Sequence, residues 1–198
     1  MEKLFENENG YVSYQKPICG DSGTLMFIIE TPGSLKDNLI RDIINFGNIQ
    51  VSIRYSKETQ NFTIEFGDLS QKILSFHSYM IMIKWDRKTF NTELNVYEYK
   101  HPEEIPIYKV RPEMYYFDFE NPVGEILGVY NNDYNMSNGM ECRIHTYPLF
   151  ITNIKYYNKS LNKIEAIKES LKYATQHDNC VINDLARHIN SGHGYIVK

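Results

Sequence analysis

The residues best suited to touch a ligand lie together in Tyr130-Asn131-Asn132-Asp133-Tyr134-Asn135-Met136-Ser137-Asn138-Gly139. Aromatic faces stack on the apolar surfaces of sugars, and Asn and Asp supply directional hydrogen bonds. Tyr with Asn and Ser is also the chemistry of adaptable protein-binding loops. Tyr130, Asn131, Asn132, Asp133, Tyr134 and Asn135 are therefore the candidate contact residues for a glycan or for another protein chain. The same run is rich in turn formers, and a solvated turn needs no ligand. Asp133, Asn135 and Ser137 also make an alternating oxygen ladder of the kind that binds Ca²⁺. Asn138 stands where an EF-hand loop needs Gly, and Ile144 where it needs a bidentate Glu. A Ca²⁺ ion thus stays open as a ligand, with no ligand set assigned and no other cofactor expected.

The tail offers His177, Cys180, His188 and His193, an N/S set that could suit Zn²⁺. The second pair lacks a Cys, and Cys180 beside Val181 and Ile182 reads more simply as a small buried apolar residue. No nucleophile–base arrangement is visible in local sequence, and no G-x-x-x-x-G-K-[ST] loop occurs. His77 and His145 sit beside strand-like runs, where packing or edge positions are expected. Lys155, Lys159, Lys163, Lys168 and Lys172 are diluted by acids, as on a solvated helix face.

The elements that must position these residues are strands. Tyr, Phe and Ile are abundant and Ala is scarce, a mixture that favours sheets. A chain of 198 residues fits one all-β domain and can bury a core without disulfides. The net charge of −4 argues against a nucleic-acid footprint. Without a run of about 18 apolar residues, no membrane span is expected. Met1 to Gly10 holds no apolar signal region, and Cys19, Cys142 and Cys180 are odd in number and far apart. Synthesis in a reducing cytosol is the expectation.

Strand-like runs lie at Tyr11–Tyr14, Gly23–Ile29, Ile43–Gly47, Ile49–Tyr55, Asn61–Gly67, Tyr79–Asp86 and Leu94–Tyr99, with clean alternation in Val51–Tyr55 and Phe62–Phe66 and an alternating face of Tyr79, Ile81, Ile83 and Trp85. Ser56 to Gln60 is a polar hairpin connection. Pro102, Pro106, Pro112 and Pro122 restrict the next stretch to short or edge strands around Tyr115–Phe119. Gly124–Tyr130 and Leu149–Tyr157 follow. One helix is expected to about Ala174, with Leu161, Ile164, Ile167, Leu171 and Ala174 as its apolar stripe. Asn162 and Glu165 are spaced as a capping box.

The order of these strands resembles the laminin-G-like, or concanavalin A-like, lectin and glucanase sandwich over roughly residues 11 to 165. The resemblance is carried by Gly23-Thr24-Leu25-Met26-Phe27, by Ile81-Met82-Ile83-Lys84-Trp85-Asp86, and by Leu149-Phe150-Ile151-Thr152-Asn153-Ile154-Lys155-Tyr156-Tyr157-Asn158-Lys159-Ser160-Leu161. Phe76-His77 stands where many relatives carry a Trp. These are packing signatures, so they imply a fold and not an activity. Glucan hydrolases of that superfamily place Glu-x-Asp-x-Glu on one strand face, as nucleophile, helper and acid/base. The nearest run here is Tyr116-Phe117-Asp118-Phe119-Glu120, in which Tyr replaces the nucleophile, and Glu65-Phe66-Gly67-Asp68 has the wrong spacing.

The expected fold is an all-β, antiparallel two-sheet jelly-roll sandwich of concanavalin A-like type. Residues 1–160 should form the sandwich, and 161–198 a C-terminal helix and tail packed on it. Phe27, Ile53, Phe62, Ile64, Phe66, Ile81, Ile83 and Trp85 are expected to point inward. The expected function is non-enzymatic: a structural or attachment protein, most specifically a bacteriophage fibre, decoration or tail component. An Asn-, Ile-, Lys- and Tyr-rich sequence suits an AT-rich phage genome, and incorporation into a virion would follow cytosolic synthesis. A carbohydrate-binding lectin module is the alternative, and an unusual glycoside hydrolase the second. Other chains of an assembly, or a glycan, are the expected partners, with the protein an oligomer or complex component.

Overall fold

The computed structural model describes residues 3–6, 11–14, 21–46, 49–100, 116–131, 142–145 and 149–176. Within them the strands are β1 (Lys3–Glu6), β2 (Tyr11–Tyr14), β3 (Ser22–Glu30), β4 (Leu39–Phe46), β5 (Ile49–Ser56), β6 (Asn61–Phe66) and β7 (Leu69–Ile73). Then come β8 (Ser78–Asp86), β9 (Asn91–Lys100), β10 (Tyr116–Phe117), β11 (Gly124–Val129), β12 (Cys142–His145) and β13 (Phe150–Tyr157), followed by helix α1 (Lys163–Gln176). They form an antiparallel two-sheet sandwich. One sheet runs β1-β2-β12-β4-β5-β6-β7, and the other β10-β9-β8-β3-β13, with β11 also paired to β9.

The sequence explains why the two sheets differ. β5 and β6 alternate strictly, so Val51, Ile53, Tyr55, Phe62, Ile64 and Phe66 fill the core while Arg54 and Glu65 pair at 3.0 Å on the solvated face. β3 and β8 are nearly continuous apolar runs, which fits strands covered on both faces. Their inner residues, Leu25, Phe27, Ile29, Tyr79, Ile81, Ile83 and Trp85, join the main core. Their outer residues, Met26, Ile28, Met80 and Met82, join Tyr97, Leu161 and Ala166 in a second cluster, with Phe117, Phe119 and Tyr157 packed against it. All eight residues expected to point inward are buried in the main core.

The start of α1 is tied down twice. Thr24 Oγ1 donates to Lys159 O and accepts from Leu161 N, each at 2.9 Å. Glu165 N donates to Asn162 Oδ1 and Asn162 N donates to Glu165 Oε2, also at 2.9 Å, so the expected capping box forms. The Lys159 ammonium and the Asn162 N–H hold the Glu165 carboxyl below its ordinary pKa. Replacing Asn162 by Ala should lower stability by about 1 kcal/mol, read as a shift of the denaturation midpoint.

Several expectations need correction. Ile164 is not on the buried stripe; it is 66% exposed, and Ala166 takes the covered position. The two anchors on Thr24 and Asn162 set the rotation of the helix, and only a small side chain lets its backbone approach the sheet. The helix also runs to Gln176 rather than Ala174. β4 begins at Leu39, four residues before the expected strand, and its ladder shifts between Asp42 and Ile44, so Ile43 and Ile44 are both buried. β1, β7 and β12 were not foreseen. β7 is short and polar, and its alternation of Leu69 and Ile73 becomes meaningful only beside β6. The tail runs Val181–Ile182 and Tyr195–Val197, and the His177, Cys180, His188 and His193 set, lie outside the described residues.

Candidate functional site

The candidate loop leaves the sandwich at the end of β11. Tyr130 N donates to Phe90 O at 2.9 Å, and the two rings meet edge to face with centroids 6.4 Å apart. The Tyr130 ring was expected to stack on a partner, but the residue is only 5% exposed and belongs to the core. Burial first, and then the Asp21 carboxylate, push its phenol pKa up. Tyr130 is thus the footing of the loop, because a large ring continuing the β11 ladder is most stable when it seals the sandwich end. Asn131 is exposed. Asn132, Asp133, Tyr134 and Asn135, with the rest of the oxygen ladder, lie outside the described residues.

Among the described residues the ring exposed at this end is Phe90, which sequence reasoning missed. It closes the Arg87-Lys88-Thr89-Phe90 hairpin between β8 and β9 with φ of 55° and is 57% exposed. The hairpin is held by Lys88 N donating to Asp86 Oδ1 at 3.0 Å and Arg87 N donating to Asp21 O at 3.0 Å. Arg87 also faces the Asp21 carboxylate at 3.4 Å. A left-handed backbone at a bulky residue costs about 1–2 kcal/mol and is usually left to Gly or Asn. Gly67, with φ of 57°, shows that ordinary solution between β6 and β7. The legible signal was an aromatic residue at the last place of a four-residue turn. Gln60 and Phe76 share the left-handed backbone, with φ of 53° and 61°. Phe76 is exposed, and its ring lies where a Cβ on Gly33 would fall, 2.3 Å from Cζ.

Of the carboxylates considered for hydrolysis, Asp118 and Glu120 lie on the connection between β10 and β11, and Glu65 lies on β6. Asp118 is buried and accepts from Asn121 N at 3.0 Å, so it holds the turn between β10 and β11. Glu120 is exposed, and Glu65 sits on the other sheet, paired with Arg54. Among the described residues no group of three or more His, Cys, Asp or Glu could hold a metal ion. His77 packs, as expected, with its ring stacked on Tyr79, Nδ1 2.7 Å from Ser75 O and Nε2 3.5 Å from Glu98. Burial pushes the Tyr79 phenol up to about 12. Lys159 and Lys163 pair with Glu165 and Glu125 at 2.7 and 3.5 Å, the dilution of basic charge foreseen from sequence. Among the described residues no helix is long and apolar enough to cross a membrane.

No protein-family model matches the chain, and no curated protein sequence does either. Solved structures are similar in outline. A botulinum neurotoxin type C chain, whose cell entry depends on two ganglioside molecules, is 12% identical at a TM-score of 0.45, over 81% of this chain and 39% of that one. The enzymatically active domain of bacteriophage CBA120 tailspike protein 2 is 8% identical at 0.44, over 77% and 24%. A receptor binding domain is 11% identical at 0.45, over 88% and 39%. The chain spans well under half the length of each, and likeness at this level assigns no function.

Proposed function

We propose that this protein is a non-enzymatic attachment or structural module whose contact surface is the strand end carrying Phe90, Val129 and Asn131. The observation that carries the reading is Phe90. Its ring is exposed on a left-handed turn residue, as Phe76 also is, but Phe90 alone of the two stands at the strand end beside exposed Val129 and Asn131. Such local strain is a pointer to function. The finer reading is a bacteriophage virion component on a laminin-G-like, concanavalin A-like sandwich. It is supported by the strand order and by the Asn-, Ile-, Lys- and Tyr-rich sequence. A second reading, a carbohydrate-binding module, is favoured by the same ring standing beside the exposed amides Asn91 and Asn131.

Phe90→Gly tests both. The variant should melt at or above the wild-type temperature, because Gly adopts φ of 55° freely. It should weaken binding at this surface by about tenfold or more, the usual worth of a contact aromatic. On an array of free glycans, a wild-type signal lost in Phe90→Gly establishes the carbohydrate reading, and a blank wild-type array removes it. Equal glycan binding by both proteins would detach Phe90 from recognition. Cleavage of any arrayed glycan by the wild type would overturn the non-enzymatic reading.

A further inference from the structure

We infer that the chain turns back after α1, and that a second helix over 180–190 covers the apolar stripe of Ile164, Ile167 and Leu171 on the side of α1 turned from the sandwich. Three contacts fix which side of α1 meets the sheet. Ala166 is fully buried in the second cluster. Lys163, on one flank, reaches Glu125 of β11 at 3.5 Å. Glu169, on the other flank, accepts from the Tyr157 hydroxyl of β13 at 3.2 Å. A helix turns by about 100° per residue, so Lys163 and Glu169 stand about 60° to either side of Ala166. Ile164 stands about 160° from Ala166 on that count. Its exposure of 66% agrees.

Ile167 and Leu171 follow Ile164 on the same helix side, about 100° and 140° from Ala166. The sheet-facing side and the apolar stripe are thus different sides of one helix. A surface helix ordinarily turns its apolar stripe to a core, so this one calls for a cover of its own.

The tail sequence carries the complementary pattern. Residues 177–198 lie outside the described residues, but Ile182, Leu185, Ala186 and Ile189 recur at i, i+3, i+4 and i+7, one face of a helix. Asn179 stands where such a helix needs its cap, and Gly192 where it should stop. His177-Asp178-Asn179 has the length that joins antiparallel helices, about two to five residues. In such a hairpin, residues equally far from the turn lie level. With Asp178 at its centre, Ala174 is level with Ile182, Leu171 with Leu185, and Ile167 with Ile189. Ile164 is level with Gly192, so the two stripes end together. A short connection also holds the tail beside α1 at about millimolar local concentration, above what a second copy of the chain reaches in solution. Matched spacing and this proximity select the tail as the occupant.

Hydrogen exchange of the full chain, read by mass spectrometry, should show 181–190 protected to the same degree at low and high protein concentration. Ile167→Lys should speed exchange there by about tenfold or more, while β8 keeps its rate. Leu185→Lys should do the same without touching α1. Ile167→Lys combined with Ile189→Glu should restore part of the protection, because the two charges then face each other. Rapid exchange of 181–190 in the wild type would overturn the proposal. So would protection that both lysine variants leave unchanged. Protection that grows with protein concentration would assign the stripe to a second copy and overturn it as well.

Discussion

Trp85→Ala should cost about 3–5 kcal/mol, the largest loss expected from any single side chain here. The indole is fully buried, stacks on Tyr156 at 6.0 Å, and lies over Gly23, where a Cβ would come within 2.3 Å of Cζ2. No neighbour can refill that space without moving β3, because β3 pairs with β8 along its whole length. Equilibrium urea unfolding should show the lower midpoint with an unchanged slope. Gly23→Ala should also destabilise, by about 1–3 kcal/mol, as an overpacked site does. If Trp85→Ala cost under about 1 kcal/mol, typical of exposed positions, the packing of the two sheets would be wrong.

The next largest effect is expected at the outer face of the same sheet. Lys84 is buried there and pairs with Glu93, which also accepts a longer contact from Asn95 Nδ2 at 3.4 Å. Glu93→Ala would leave the ammonium buried without its partner. The cost should be about 3 kcal/mol, at the low end for a broken buried pair because Glu93 keeps some contact with water. Replacing both residues, Lys84→Met with Glu93→Leu, should recover most of the loss, since the pair itself contributes little beyond a well-packed apolar contact. A double-mutant cycle by urea unfolding separates these terms. If Glu93→Ala unfolded at the wild-type midpoint, Lys84 would have to find water or another acceptor.

Much of the sandwich could be read from residue order. Strict alternation in β5 and β6 settles which side of each strand is apolar, because successive side chains point to opposite faces. Asn162 and Glu165 mark the helix start by local hydrogen bonding alone. Long-range pairing decided what local pattern could not. Leu69–Ile73 is a strand because β6 lies beside it, and Ile164 faces water because Thr24, 137 residues from Leu161, fixes the helix on the sheet. The proposed contact surface shows the same division. Tyr130 and the amides after it drew attention by composition, yet composition cannot tell a buried ring from an exposed one. Only the fold, by sealing Tyr130 into the sandwich end and holding Phe90 in a left-handed turn beside it, determined which of these two aromatics meets solvent.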